Sequence, residues 1–260
     1  MVIPTENKIR VSVAMISYNG ANYIREQIDS ILIQLKEMDE LVISDDGSTD
    51  GTLEIIKSYQ QLDKRIHLLK GPRLGIKKNV EYAVSHSKGT YIFLADQDDI
   101  WMSNKIERVL QAFEKQKTMV VIHDAKVFER ENLEQIVIES FFSFRGSRAG
   151  VIKNIVKNSY IGCCMAFRQE LKEIILPIPS QIEMHDQWIG ALNDYRFGKS
   201  CFLPEALLLY RRHGNNNSSM THYNIGKMLR NRVIFFGYFF IRILHIRQKK
   251  HRNQGKFKKK

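Results

Sequence analysis

The first hundred residues switch repeatedly between two hydrophobic rhythms, and that alternation constrains the fold more than any other feature of the chain. "IRVSVAMISYN" (residues 9–19) is a short run rich in Val and Ile with a polar end, the pattern of a buried strand. Tyr23, Ile24, Ile28, Ile31, Leu32 and Leu35 then recur at spacings of three and four, which predicts an amphipathic helix. "ELVISDDGSTDGT" is a second strand followed by a turn, its two Asp-Gly pairs and Ser-Thr suiting a turn and a helix N-cap. "LEIIKSYQQL" continues as a helix and "RIHLLKG" is a third strand. "GIKKNVEYAVSHS" is a helix with Ile76, Val80, Ala83 and Val84 on one side, and "TYIFLADQDD" is a fourth strand.

Strand and helix in strict alternation predict an α/β fold: a mostly parallel central sheet, right-handed crossovers and helices on both faces. Ligands of such sheets sit at the carboxyl ends of the strands. Three of the four strands deliver polar groups there: Ser17, Tyr18 and Asn19; Asp45 and Asp46; Asp96, Asp98 and Asp99.

The second half is less regular. "TMVVIHDAKVF" reads as a strand, and residues 129–160 resist assignment and suit a mobile loop. "SYIGCCMAFRQELKEIILP" reads as a strand, with Cys163 and Cys164 on alternate faces, then a short helix ended by Pro177. "MHDQWIGALNDYRFG" reads as a helix opening near Asp186, and "CFLPEALLLYRRHGNNNSS" as a strand and polar loop. Three cysteines without CxxC spacing suit reduced, buried thiols in a cytosolic protein.

The formal charge is +12, which first suggests nucleic acid or an acidic membrane. Residues 227–260, however, hold twelve Lys or Arg and no acid, which leaves 28 basic against 28 acidic residues in the first 226. The neutral body disfavours nucleic acid as a partner. The tail mixes its cations with large apolar residues, as an interfacial helix with a polybasic end would for an anionic membrane surface. Its longest apolar run, "VIFFGYFFI", is nine residues, well short of the ~20 that span a bilayer. A core or dimer helix is the competing reading of that run. No N-terminal stretch has the apolar core of a signal peptide.

Carboxylates crowded at a strand end need a counter-charge, and a divalent cation, Mg²⁺ or Mn²⁺, is the simplest. The chain lacks a G-x-x-x-x-G-K-S/T loop and a G-x-G-x-x-G turn, so backbone N–H groups alone are not set to cradle phosphates. Metal and cations such as Arg73, Lys77 or Lys78 would have to do so, unless those residues only form a solvated helix face. Trp101 and Trp188 read first as core and only second as walls of a binding site.

"VSVAMISYNGANYIREQIDSIL", "ELVISDDGSTDGT", "GIKKNVEYAV" and "YIFLADQDDIW" follow one another in an order and spacing that resembles family 2 glycosyltransferases. The resemblance covers residues 11–104 and continues more thinly through "MHDQWIG" and "YRRHGNNNS". "DQDDIW" with "HDQW" and "YRRHG" is most similar to the bacterial rhamnosyltransferase-like branch, which builds surface polysaccharides. The resemblance implies a GT-A fold over 1–226, with a nucleotide-sugar half at about 1–104 and an acceptor half at about 105–226, followed by the amphipathic helical tail 227–260. It implies a nucleotide-diphosphate sugar donor (dTDP- or UDP-linked, L-rhamnose for that branch), a divalent metal and inversion at the anomeric carbon. Ser17, Tyr18 and Asp45 would hold the nucleotide base, with Asp96 at the ribose or metal. Asp98 would ligate the metal, with Asp99 a near alternative and His213 completing the site or touching the diphosphate. Lys78 stands where the family often has arginine before Asn79, keeping a cation but losing the planar fork. Asp186 would be the catalytic base, with Glu183 its rival; an N-cap role is the plain alternative for Asp186, and packing for His185. A saccharide acceptor, lipid-linked in such pathways, would place the enzyme peripherally on the cytoplasmic face of the plasma membrane. The rival reading is a non-catalytic partner protein of a polysaccharide assembly that shares the fold but does not need Asp186.

Overall fold

The computed structural model describes residues 9–129, 135–213 and 225–257, with the side chains of the last helix as far as residue 248. Part of the predicted 129–160 loop, the whole "NNNS" segment and part of the polybasic end lie outside the described residues.

The first half follows the sequence pattern: β1 (Val11–Ser17), α1 (Ile24–Leu32), β2 (Glu40–Asp45), α2 (Thr52–Leu62), β3 (Ile66–Lys70), α3 (Ile76–His86) and β4 (Tyr91–Ala95). These four strands are parallel, in the order β3-β2-β1-β4. β1 and β2 are buried along their whole length, which is why they read as continuous apolar runs rather than as alternation. Their register sets Ser17 opposite Asp45, so two of the polar ends lie side by side.

The second half comprises β5 (Ile100–Trp101), α4 (Lys105–Gln116), β6 (Val120–Glu129), β7 (Ile136–Ile138), α5 (Phe141–Arg145), α6 (Val151–Val156), β8 (Met165–Arg168), α7 (Lys172–Ile175), α8 (His185–Arg196), β9 (Cys201–Arg212) and α9 (Ile225–Phe257). The sheet extends from β4 through β8, β6 and β9 to β5, with β7 on the side of β6. β8 runs antiparallel to both β4 and β6, and β5 antiparallel to β9. The sheet is therefore parallel through β4 and mixed beyond it. Strand direction there is set by long excursions rather than by compact strand–helix–strand units, and periodicity does not encode it. Cys163 and Cys164 sit on a short 3₁₀ turn ahead of β8, and both are buried free thiols, not alternate faces of a strand.

Trp101 and Trp188 are both core residues. α9 is more than an appended tail. Its Phe235, Phe239 and Ile243 belong to the same hydrophobic core, with Phe235 edge-on to Trp188 at 6.1 Å. Burying one such side chain is worth about 1.5–3 kcal/mol, so this face of α9 helps to hold α8 in place. No helix among the described residues is long and apolar enough to cross a membrane.

Candidate active site

The ends of β1 and β2 form a clasp. Asp45 accepts from Ser17 Oγ at 2.8 Å, Gly47 N–H at 3.0 Å, Ser48 N–H at 2.8 Å and Ser48 Oγ at 2.5 Å. Four bonds fill the acceptor capacity of a carboxylate, so Asp45 organises the turn that follows it. Asn19, at φ 49°, turns the chain after β1; Asn tolerates this left-handed region better than most residues. Its N–H donates to Ser48 Oγ and its Oδ1 accepts from Thr49 N–H, both at 2.9 Å. Gly20 N–H reaches Thr52 Oγ1 at 2.8 Å and Ala21 N–H reaches Asp50 at 3.0 Å. "SYNGA" and "DDGSTDGT" are thus two halves of one structure. Gln97 holds both backbone groups of Tyr18, at 2.8 and 2.9 Å. A Cβ on Gly20 would stand 2.2 Å from Gln97 Oε1, which accounts for the glycine. Tyr18 itself is left 59% exposed beside the clasp.

Gln97 also couples this clasp to the acidic turn after β4. Asp98 Oδ2 lies 2.8 Å from His213 Nε2, whose ring stacks on Tyr23 at 4.7 Å. Arg211, at the end of β9, donates its N–H to Asp99 Oδ1 (3.1 Å) and its Nε–H to the Asp98 carbonyl (2.9 Å), and pairs with Glu26. Asp96, Asp99 and Cys163 bring their ligating atoms within 4.8 Å of one another. Desolvation, then the charges of Asp98 and Asp186, push the Asp96 carboxyl up to about 7. Burial, then the charges of Asp98 and Asp96, push Asp99 well above the ordinary range, and its Oδ2 has no hydrogen-bond partner among the described residues. A buried lysine answers part of this charge. Lys105 donates to the Cys163 carbonyl at 2.9 Å, lies 3.8 Å over the Trp101 ring, and is lowered by burial to about 8.

The residues fit a hard divalent cation. The Asp96 and Asp99 carboxylates converge, one oxygen is unpartnered, and the charge of Asp98, itself outside that cluster and bonded to His213, adds to burial in raising both. Cys163 does not fit as a ligand for such an ion. Its bond to Cys164 and its burial hold the thiol well above the usual range, so it stays protonated.

Asp186 occupies the first turn of α8 and is only 4% exposed. Its Oδ1 accepts from Gln187 N–H at 2.6 Å and Asn158 Nδ2 at 3.0 Å. Burial pushes the carboxyl up to about 6, against those two bonds, the charge of Arg145 and the Gly162 N–H. Asn158 is itself aimed: Tyr160 N–H donates to its Oδ1 at 3.0 Å, which turns the amide nitrogen toward Asp186. The charge of Asp186 acts on Asp96, so the two carboxyls share one electrostatic space. Glu183 is exposed and takes a bond from Asn231 at 2.9 Å. His185 is buried and pushed down to about 4, and a Cβ on Gly162 would stand 2.7 Å from its Nε2. His185 is thus held within the fold, and of the two rival carboxylates Asp186 is the buried one, raised above its ordinary range.

The structure places Ser17 beside Asp45 at the ends of β1 and β2, Asp98 against His213, and Asp186 within electrostatic reach of Asp96. Lys78 is not brought into this group. Its Nζ donates to Glu81 at 2.7 Å and the Ile178 carbonyl at 2.8 Å, while Lys77 reaches the Ile182 carbonyl at 2.8 Å. Both tie α3 to the segment before α8. Arg73 gives its backbone N–H to Asp46 at 2.6 Å. Sequence reasoning missed Gln97, Lys105, Asn158 and Arg211. Gln97 and Arg211 lie inside the motifs "DQDD" and "YRRHG"; Asn158 and Lys105 carry no local signal, because their partners are distant in the chain.

A parallel half-sheet ending in a clasp and an acidic turn, continued by a mixed half, is a GT-A-like fold. The chain belongs to glycosyl transferase family 2, whose model matches residues 12–175, more than half of its length. It is similar to a putative teichuronic acid biosynthesis glycosyltransferase, TuaG, of Bacillus subtilis, 27% identical over 221 residues that cover 83% of this chain and 84% of the relative. An uncharacterized glycosyltransferase of Haemophilus influenzae is 28% identical over 231 residues, covering 83% of this chain and 69% of that one. Among solved structures, S. aureus TarS 1-349 in complex with UDP-GlcNAc matches with a TM-score of 0.66 at 18% identity, over 87% of this chain and 66% of that one. Mannosyltransferase PcManGT from Pyrobaculum calidifontis, in complex with GDP-Man and Mn²⁺, matches at 0.61 and 18%, over 80% and 59%. At these identities the solved structures establish the fold.

Proposed function

We propose that the protein transfers a sugar, with inversion, from a nucleotide-diphosphate donor to a saccharide acceptor, using Asp186 as the base. The observation that carries this is Asp186 itself: a buried carboxyl raised to about 6, aimed by Asn158 and within electrostatic reach of Asp96. At neutral pH such a group is ionised yet basic enough to accept a proton. The acceptor oxygen attacks the anomeric carbon and gives its proton to Asp186. The bond from that carbon to the diphosphate breaks with its electron pair leaving on the phosphate oxygen. A diphosphate leaves without protonation, so the second carboxylic acid of glycoside hydrolysis is not required. The exposed Tyr18 ring receives the base, Asp45 would accept from it only by giving up one of its four bonds, and Asp96 receives the ribose. Asp98, with Asp96 and His213 beside it, would hold Mg²⁺ or Mn²⁺, which supplies counter-charge for the diphosphate. Lys78 would take part only by giving up its bonds to Glu81 and Ile178.

The "DQDDIW", "HDQW" and "YRRHG" forms support L-rhamnose as the sugar, carried on dTDP or UDP. The basic, apolar α9 supports a lipid-linked acceptor in bacterial surface polysaccharide synthesis, handled from the cytoplasmic face of the plasma membrane. A thermal-shift panel of nucleotide sugars with and without Mn²⁺ tests the reading. A dTDP-rhamnose response that needs Mn²⁺ and is lost in Asp98→Ala supports it. Silence of every nucleotide sugar and nucleoside diphosphate defeats it, and a response only to nucleotide sugars that do not carry rhamnose removes the rhamnose assignment.

A further inference from the structure

The inner face of α9 is spent on the core, but its outer face is not. Leu229, Val233, Phe236, Phe240 and Leu244 follow one another at intervals of four, three, four and four, so they form one stripe along the helix. They are between 40% and 72% exposed, and Phe236 and Phe240 stack on each other at 6.5 Å instead of against the body. A contiguous apolar stripe of this kind marks an interaction surface.

Charge selects the occupant. Residues 227–260 carry twelve Lys or Arg and no Asp or Glu. A second copy docked through the same stripe would set two such basic segments against each other. An anionic lipid surface matches both features at once, apolar residues entering the headgroup boundary and cations remaining at the phosphates.

We propose that the outer face of α9, centred on Phe236 and Phe240, is a docking surface for an anionic bilayer and fixes the orientation of the enzyme on it. Contacts on the other side of the helix show what that orientation achieves. Asn231 bonds Glu183 at 2.9 Å and Arg232 bonds the Val156 carbonyl at 2.8 Å. Those two residues precede Asp186 and Asn158 by three and two positions in the chain. Further along, Arg242 holds the carbonyls of Leu176 and Pro177 at 2.6 and 2.7 Å. A bilayer under the stripe therefore runs alongside the Asp186 half of the molecule, where a lipid-linked acceptor would arrive. This deepens the membrane reading above and rests on it.

Co-sedimentation of the full chain with two kinds of vesicle tests the proposal: phosphatidylcholine alone, and phosphatidylcholine with an equal part of phosphatidylglycerol. The wild type is expected to bind the anionic vesicles preferentially. Phe236→Ser/Phe240→Ser is expected to weaken that binding about tenfold or more, and Lys249→Glu/Lys250→Glu to remove most of the preference for phosphatidylglycerol. Both side chains of the first variant point away from the core, so its thermal melting is expected to match the wild type. Wild-type vesicle affinity in a folded Phe236→Ser/Phe240→Ser protein would overturn the proposal. So would conversion of a dimer to a monomer with vesicle affinity unchanged, which would assign the stripe to a second copy. Phenylalanine-dependent vesicle binding supports the docking face even in protein that binds no nucleotide sugar, so the two readings fail separately.

Discussion

Replacing Asp186 by asparagine should make the protein more stable while removing its activity. The carboxyl is raised from 3.8 to about 6, with burial as the largest cause. The folded state therefore binds a proton more tightly than the unfolded chain. Between these two values the folded state holds more protons, so this group's contribution to stability falls as pH rises through the window. Above it the full penalty of a buried, ionised carboxylate is present. A shift of about two units corresponds to about 3 kcal/mol. The amide introduced by Asp186→Asn would keep an acceptor for Asn158 and for the Gln187 N–H, but it does not ionise. Urea unfolding of both proteins at about pH 8 and about pH 4 isolates the effect, because any fixed cost of the substitution cancels between the two conditions. The stability difference should move in favour of Asp186→Asn by about 2–3 kcal/mol on going to the higher pH. A difference independent of pH, or one that moves the other way, would show that Asp186 is not a strained carboxylate and would remove the main physical argument for its role.

Asn158→Ala removes one of the bonds that favour the ionised form, so Asp186 should titrate about one unit higher, checked by carboxyl ¹³C shifts assigned with Asp186→Asn. Lys105→Met removes the cation that opposes the rise of Asp96. The Asp96 carboxyl should then titrate above about 7, checked by its carboxyl ¹³C shift. Gly162→Ala places a Cβ 2.7 Å from His185 Nε2; an unfolding midpoint should report a loss of about 1–3 kcal/mol, larger than for alanine at Gly237, where nothing lies nearby and φ is not positive.

The first half was legible in the sequence because its elements are local. Each buried strand is a continuous apolar run, and each polar end sits on the residue that follows it. Ser17 and Asp45 could be paired from their strand ends, and the register confirms that they are neighbours. The second half was less legible because its order depends on long-range partners. Antiparallel β8 inserts between β4 and β6, and the two-residue β5 pairs with β9 across more than a hundred positions. Lys105 shows the same limit. In the sequence it is one lysine on a helix, yet it is buried within reach of the charges of Asp96 and Asp99. Asn158 acquires meaning only when the loop bearing it is folded onto α8. The tail was half legible: its apolar and basic character was visible, but the division into a core face and an outer face required the packing of Phe235 and Phe239.

The central claim is that one protein binds the donor through the acidic turn and activates the acceptor through Asp186. The most direct test measures release of nucleoside diphosphate from the donor that stabilises the protein most, with a membrane-lipid extract as the acceptor source, for wild type and Asp186→Asn. Donor binding should be retained in the variant while turnover falls by about 10²–10⁴. Turnover by Asp186→Asn at the wild-type rate would contradict the account.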